Sequence, residues 1–190
     1  MPIRTTMTLA LLAAASIPAC APPPPPPVDD PRFAYLGQTE VLEESTSSDT
    51  TTWTFDPSSG PICMRGDVYR ASVRETGSEN LLIFLQGGGA CWGDFCLAVT
   101  AAPEGIPLVD VLAPSIEANP FADWNVAYLP YCDGSVFVGD REHDEDGDGS
   151  PDRIHRGLAN LSAGLDVARQ TVPDPTRIVF AGSSGGGFGA

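Results

Sequence analysis

Lysine is absent from this chain: all ten of its basic residues are arginine. Neither a Schiff base nor a serine–lysine dyad can form within it. We read the arginine bias as codon usage in a GC-rich genome. Positive charge is scarce altogether, and the formal net charge is −15. That balance speaks against nucleic acid or an anionic membrane surface as a partner. Histidine is nearly missing, with His143 and His155 the only two. No apolar run reaches the length of a bilayer; the stretch from Leu9 to Ile17 is too short to span one as a stable helix.

What is present is enough for one domain with a core: 190 residues, 42% of them hydrophobic. The first twenty, MPIRTTMTLALLAAASIPAC, read as a processing segment rather than as structure. Arg4 precedes the apolar run, which ends in Ile17-Pro18-Ala19-Cys20. Small residues before a cysteine resemble a bacterial lipobox, with Cys20 as the acylated first residue. Pro18 is unusual there, and cleavage by an ordinary signal peptidase is the competing reading. The stretch APPPPPPVDDP follows at once and can only be an extended polyproline II spacer. The expected organisation is a lipoprotein-type signal peptide over 1–19, a disordered Pro/Ser/Thr-rich linker over 20–52, and a folded unit over 53–190. The protein is expected outside the cytoplasm, as an outer-membrane lipoprotein or a secreted protein, touching a membrane only through a lipid on Cys20.

Export suits the remaining cysteines, Cys63, Cys91, Cys96 and Cys132. Cys91 and Cys96 are near enough in sequence to close a small loop. Cys63 and Cys132 pair with each other or with cysteines beyond residue 190. A zinc site competes, but Cys-x4-Cys without a second cysteine pair or a neighbouring histidine is a poor one.

Along the chain, DVYRASVRE alternates with period two, TGSEN is a turn, and LLIFLQ is a continuous apolar run. Residues 67–86 are therefore expected to form strand, turn and buried strand. WNVAYLPYC is another buried strand. Ile154, Leu158, Leu161, Leu165 and Ala168 recur at spacings of four, three, four and three, one face of a helix. PDPT breaks it, and RIVFAG is a strand running into glycines. The pattern is α/β.

Two glycine clusters sit at strand ends. Gly182-Ser183-Ser184-Gly185-Gly186 is a G-x-S-x-G arrangement, which at a sharp strand-to-helix turn would expose the Ser184 hydroxyl above a sheet. Gly87, Gly88 and Gly89 directly follow LLIFLQ and could turn backbone N–H groups toward a developing oxyanion, as could Gly185. Gly-x-Ser-Gly-Gly also resembles the serine motif of trypsin-like proteases. That fold is all-β, however, and Pro103 stands where VTAAP would need its histidine.

LLIFLQGGGACWGDFC, WNVAYLPYCDGSVFVGD, HRGLANLSAGLD and RIVFAGSSGGGFGA resemble, in order, the motifs of the pectin acetylesterase / Notum family. The resemblance runs from about Cys63 to the end. It implies an α/β-hydrolase fold and serine esterase chemistry, with Ser184 the nucleophile and Gly88, Gly89 and Gly185 the oxyanion donors. Cys91 and Cys96 match a cysteine pair near the oxyanion loop. Trp92 lines the pocket or packs, with packing the expectation. Gly185 departs from the alanine of many members and is expected to loosen the turn slightly.

In that fold the triad runs Ser, then Asp or Glu, then His. Both histidines here precede Ser184, and neither matches the family's base. His155 is expected to be structural. The chain is therefore expected to be an N-terminal fragment of an incomplete α/β-hydrolase sheet, cut after the nucleophile turn and inactive alone. Its substrate is expected to be an acylated glycan or a lipid-like ester, since a −15 surface repels polyanionic pectin.

DEDGDGSPD carries five carboxylates in nine residues. Asp144, Asp146, Asp148, Ser150 and Asp152, with Gly149 for the tight turn, could wrap a structural Ca²⁺. Position twelve is His155 rather than a bidentate Glu, so the loop is at best EF-hand-like, and a solvated acidic insertion is the rival. Catalysis itself is expected to need no cofactor. The alternative function is a non-catalytic, calcium-binding surface protein on a hydrolase-like scaffold.

Overall fold

The computed structural model describes residues 39–190. The expected signal peptide, Cys20 and the proline spacer lie outside the described residues. The chain runs through β1 (Val41–Ser47), β2 (Thr50–Phe55), β3 (Arg70–Arg74), β4 (Asn80–Leu85), β5 (Gly89–Trp92), β6 (Phe95–Ala98), β7 (Asn125–Leu129), β8 (Arg141–His143) and β9 (Arg153–His155). Helix α1 (Gly157–Thr171), strand β10 (Arg177–Gly182) and the short helix α2 (Gly185–Gly189) complete it.

Six strands form one sheet in the order β1-β2-β3-β7-β4-β10. β7, β4 and β10 are parallel, while β1, β2 and β3 join antiparallel to one another and to β7. The strand–turn–strand expected over 67–86 is present, but β3 and β4 are not neighbours, because β7 inserts between them. The parallel centre explains the unbroken apolar runs: β4 and β7 are covered on both faces. On one face Leu81, Ile83, Leu85, Ala127 and Leu129 meet α1 through Ala163, Val167 and Ala168. On the other, Leu82, Val126 and Tyr128 pack under Leu112, with Phe121 and Trp124 half-buried beside them. A helix leading into the serine strand rules out the all-β protease architecture.

Two expectations shift. Residues 41–52 belong to a hairpin of the sheet and not to a disordered linker: β1 and β2 pair antiparallel, and the hairpin continues into β3. Their polar composition concealed this. Threonine is β-branched and suits a pleated surface, and the hydroxyls pair across strands, Thr46 with Thr51 at 3.0 Å and Thr52 with Ser72 at 2.8 Å. Exposed Glu43 and Glu44 on edge strand β1 discourage edge-to-edge pairing. Second, α1 turns its small residues to the sheet. Ala159, Ala163, Gly164 and Val167 are buried, whereas Leu158, Leu161 and Leu165 are only half-buried along its flank. A Cβ on Gly164 would lie 2.5 Å from the Leu129 side chain, so the helix sits close against β7.

Both cysteine pairs are disulfides. Cys91–Cys96 closes the β5–β6 hairpin, and Cys63–Cys132 joins the segment before β3 to the loop after β7, across 69 residues of sequence. Among the described residues no helix is long and apolar enough to cross a membrane.

Candidate functional site

The parallel strands β4 and β10 end side by side, with Leu85 opposite Gly182. Each then runs into its glycine cluster, so the sheet itself brings the two clusters together. The Ser183 N–H donates to the Leu85 carbonyl at 3.2 Å, and the Gly87 N–H donates to Ser183 Oγ at 3.1 Å. Ser184 caps α2 at φ 48° and ψ −119°. Positive φ is uncommon for a residue with a side chain, and this corner of the map stores about 1–3 kcal/mol of strain. The turn leaves Ser184 exposed and Gly185 buried.

A Cβ would come within 3 Å of neighbouring atoms at several positions of the two clusters, Gly87 and Gly185 among them. A Cβ on Gly87 would lie 2.4 Å from the Ser183 carbonyl oxygen and 2.9 Å from Ser184 Cβ. A Cβ on Gly185 would lie 2.8 Å from the Gly89 carbonyl oxygen. Glycine at 185 therefore does not loosen the turn; it lets the two segments touch. Gly185 opens α2, so its N–H has no intrahelical acceptor, and the Gly88 N–H donates to none of the described residues. Of the residues expected here, Gly89 reaches Gly185 through its carbonyl, while Gly88 packs on Tyr131 and Val99.

Tyr131 was not singled out from sequence, yet it supports both clusters. Its ring lies 2.5 Å from where a Gly88 Cβ would be and 3.6 Å from where a Gly185 Cβ would be. Its N–H donates to Gln86 Oε1 at 3.0 Å, and its hydroxyl accepts from the Val136 N–H at 2.9 Å. Burial pushes the phenol up to about 12, against the Val136 hydrogen bond, so it stays neutral. The signal available in sequence was its position beside Cys132, whose disulfide fixes this loop.

Asp133 follows, almost wholly buried. Burial raises its carboxyl above the ordinary range, while hydrogen bonds from the Ser135 hydroxyl and N–H, the His155 charge and the Gly157 N–H pull it down. His155 Nδ1 lies 2.6 Å from the Asp133 carbonyl oxygen, to which it donates. His143 lies in β8 opposite Arg153. Neither histidine is hydrogen-bonded to Ser184 among the described residues.

Trp92 is 65% exposed and does not pack in the core. The hairpin explains why. Its disulfide turns inward to Met64, so the alternate residues point out, and Trp92 stacks on Phe95 at 4.5 Å.

In the acidic loop, Asp144, Asp146 and Asp152 place one carboxylate oxygen each within 4.8 Å of one another. Asp148 falls outside that group, and its Oδ1 instead accepts from the Ser150 N–H at 2.7 Å. The N–H groups of Gly149 and Gly147 hold the Asp144 carboxyl below the ordinary range.

Comparison with known proteins covers the same segment. A family model described as Pectinacetylesterase matches residues 45–190. A palmitoleoyl-protein carboxylesterase, notum2 of Xenopus laevis, is 28% identical over 145 residues, covering 67% of this chain and 28% of the relative. Pectin acetylesterase 4 of Arabidopsis thaliana is 30% identical over 96 residues, covering 44% of this chain and 24% of the relative. The structure of the Wnt deacylase Notum from Drosophila superposes with a TM-score of 0.55 at 20% identity, over 79% of this chain and 45% of that one. The last likeness shows a shared fold. The chain spans less than half the length of each of these proteins.

Proposed function

The chain belongs to the pectinacetylesterase family, and from that premise we propose that it carries the nucleophile half of a serine carboxylic-ester hydrolase working outside the cytoplasm. One observation supports this above the others: two glycine segments far apart in sequence close around Ser184, whose backbone is held at φ 48°. In the proposed reaction a histidine takes the Ser184 proton as Oγ bonds to the ester carbonyl carbon. The negative charge moves to the carbonyl oxygen, where the N–H groups of Gly88, Gly89 and Gly185 receive it. The C–O bond to the alcohol breaks as the same histidine returns the proton to the leaving oxygen. Water then repeats the sequence, frees the carboxylate and restores Ser184.

The proposal assigns the base and its carboxylate partner to residues outside 1–190, in the order Ser, acid, His. A serine hydroxyl without a base attacks esters very slowly at neutral pH, so residues 1–190 alone should show little turnover. The substrate class is an acylated glycan or a lipid-like ester; the −15 charge disfavours a polyanion. The two disulfides suit an exported protein, secreted or held at the outer membrane by a lipid on Cys20.

Hydrolysis of p-nitrophenyl esters tests the reading. A chain extended to include the acid and base should hydrolyse them, and Ser184→Ala should lose about 10⁴-fold or more in kcat. An extended Ser184→Ala variant of undiminished rate would overturn it, and fast Ser184-dependent turnover by residues 1–190 would overturn the placement of the base and acid outside them.

The convergence of Asp144, Asp146 and Asp152 favours a second element, a structural Ca²⁺ on the acidic loop. If catalysis fails and calcium binds, the non-catalytic surface protein is the better reading. Calorimetric titration with millimolar CaCl₂ decides, and no heat removes the site.

A further inference from the structure

At the other ends of the strands from Ser184, Arg74 is buried in a way the esterase reading leaves unexplained. It ends β3 opposite Val126, near the start of β7, and is 3% exposed. Its Nη1 donates to the Leu112 carbonyl at 2.9 Å. Its Nε and Nη2 are buried and hydrogen-bonded to nothing among the described residues. Nε and Nη2 are the two donors on one edge of the guanidinium, the fork that matches a carboxylate. Burying such donors without partners is costly, and native structures rarely leave them so.

Arg74 lines a cavity of about 440 Å³ between the β1–β2 turn and the segment before Pro114. That volume suits a small molecule. Ser45, Ser47, Thr50, Ile106 and Leu108 line it, and the Thr50 hydroxyl donates to Asp49 Oδ1 at 3.1 Å. Two carboxylates, Asp49 and Glu104, line it as well. Burial disfavours the charged guanidinium, and Asp49 opposes that through space without forming an ion pair with it. Thr52 cannot serve a ligand freely, since its hydroxyl pairs with Ser72 and accepts from the Gly105 N–H.

We propose that this cavity is a binding site for a small monocarboxylate, its two oxygens held by Nε and Nη2 of Arg74. The two acids set the charge the site accepts. They oppose a dianion such as hydrogen phosphate more than a single carboxylate, which one guanidinium neutralises. Nε and Nη2 carry almost no accessible surface, so binding requires one wall of the cavity to shift; Ser48 and Asp49 form an exposed turn in the lining. The site stands independently of the Ser184 reading, although ester hydrolysis would release ligands of this class.

Sodium acetate is the probe, exchanged for sodium chloride at fixed pH and ionic strength with the whole 190-residue chain. Acetate at ten times its dissociation constant should raise Tm by about 4 °C, with saturation, and phosphate by much less. In a chain labelled with ¹⁵N-arginine, the Arg74 Nε–H signal should move with acetate in parallel with Tm. Arg74→Gln should lose the Tm shift, and Asp49→Asn should enlarge it at a given acetate concentration. The second variant keeps the test sharp if the first does not fold. Ser184→Ala should retain the full shift, which separates this site from the esterase reading. Equal Tm in acetate and chloride for both the natural chain and Asp49→Asn, or an unmoved Arg74 signal, overturns the proposal.

Discussion

Removing the Cys63–Cys132 disulfide should cost far more than removing Cys91–Cys96, and the difference can be worked out from the sequence each one closes. A cross-link stabilises chiefly by restricting the unfolded chain, and the loop here spans 69 residues against five. The loop-entropy relation gives about 4.4 kcal/mol for the long loop and about 2.1 kcal/mol for the short one. For a domain of this size that is a fall in Tm of about 13 °C against about 6 °C. The assay is thermal unfolding by circular dichroism of Cys63→Ala/Cys132→Ala and Cys91→Ala/Cys96→Ala, each beside the natural chain. The site should register the long one as well. The Met64 N–H donates to the Cys132 carbonyl at 2.8 Å, and Tyr131, the next residue back, carries both glycine clusters. Near-ultraviolet signals from Tyr131 should therefore weaken in the first double variant before global unfolding. Equal losses of stability in the two variants would refute the loop argument. An undisturbed Tyr131 would refute the link to the site.

Three further outcomes follow from the same geometry. Ser184→Gly should raise stability by about 1 kcal/mol while abolishing nucleophilic chemistry, because glycine adopts φ 48° without strain; chemical denaturation reads the first effect. Gly185→Ala should destabilise by about 1–3 kcal/mol, since its Cβ would press on the Gly89 carbonyl, and a neutral or stabilising result would show the contact to be slack. Asp133 has its pKa raised in the fold, chiefly by burial. Its contribution to stability is therefore complete below its ordinary value of 3.8 and declines as pH rises through the higher folded value. Relative to Asp133→Asn, the natural chain should lose stability as pH climbs above 3.8, as Tm measured across that range will show.

The strands and the helix were legible because their signals are local. LLIFLQ and WNVAYLPYC are unbroken apolar runs, and only strands covered on both faces require that. The first hairpin was hidden because hydrogen-bonded hydroxyls stood in for apolar burial. Thr52 is 5% exposed, yet it reads as linker composition until Ser72 is known to lie opposite. The helix misled in a subtler way. Leucines at helical spacing advertised one face, but close packing on β7 selected Ala163 and Gly164 instead. Trp92 illustrates the limit of a motif: its type is visible in sequence, while the side it faces depends on which way the Cys91–Cys96 hairpin turns.

The two glycine clusters were visible separately, but their meeting was not, because it depends on β10 pairing with β4 after a crossover through α1. Once that pairing exists, the support for Ser184 can be traced outward. The strained turn rests on Gly87 and Gly185, Gly185 rests against Gly89 and the Tyr131 ring, and Tyr131 is held by Gln86, Val136 and the neighbouring disulfide. A residue at φ 48° persists only where its surroundings over-determine it. The independent contacts converging on this one turn are what hold it in place, and they are the physical support for the proposed role of Ser184. A surface glycine loop with no task would relax to an unstrained conformation and would need neither the buried phenol nor the close carbonyl contact.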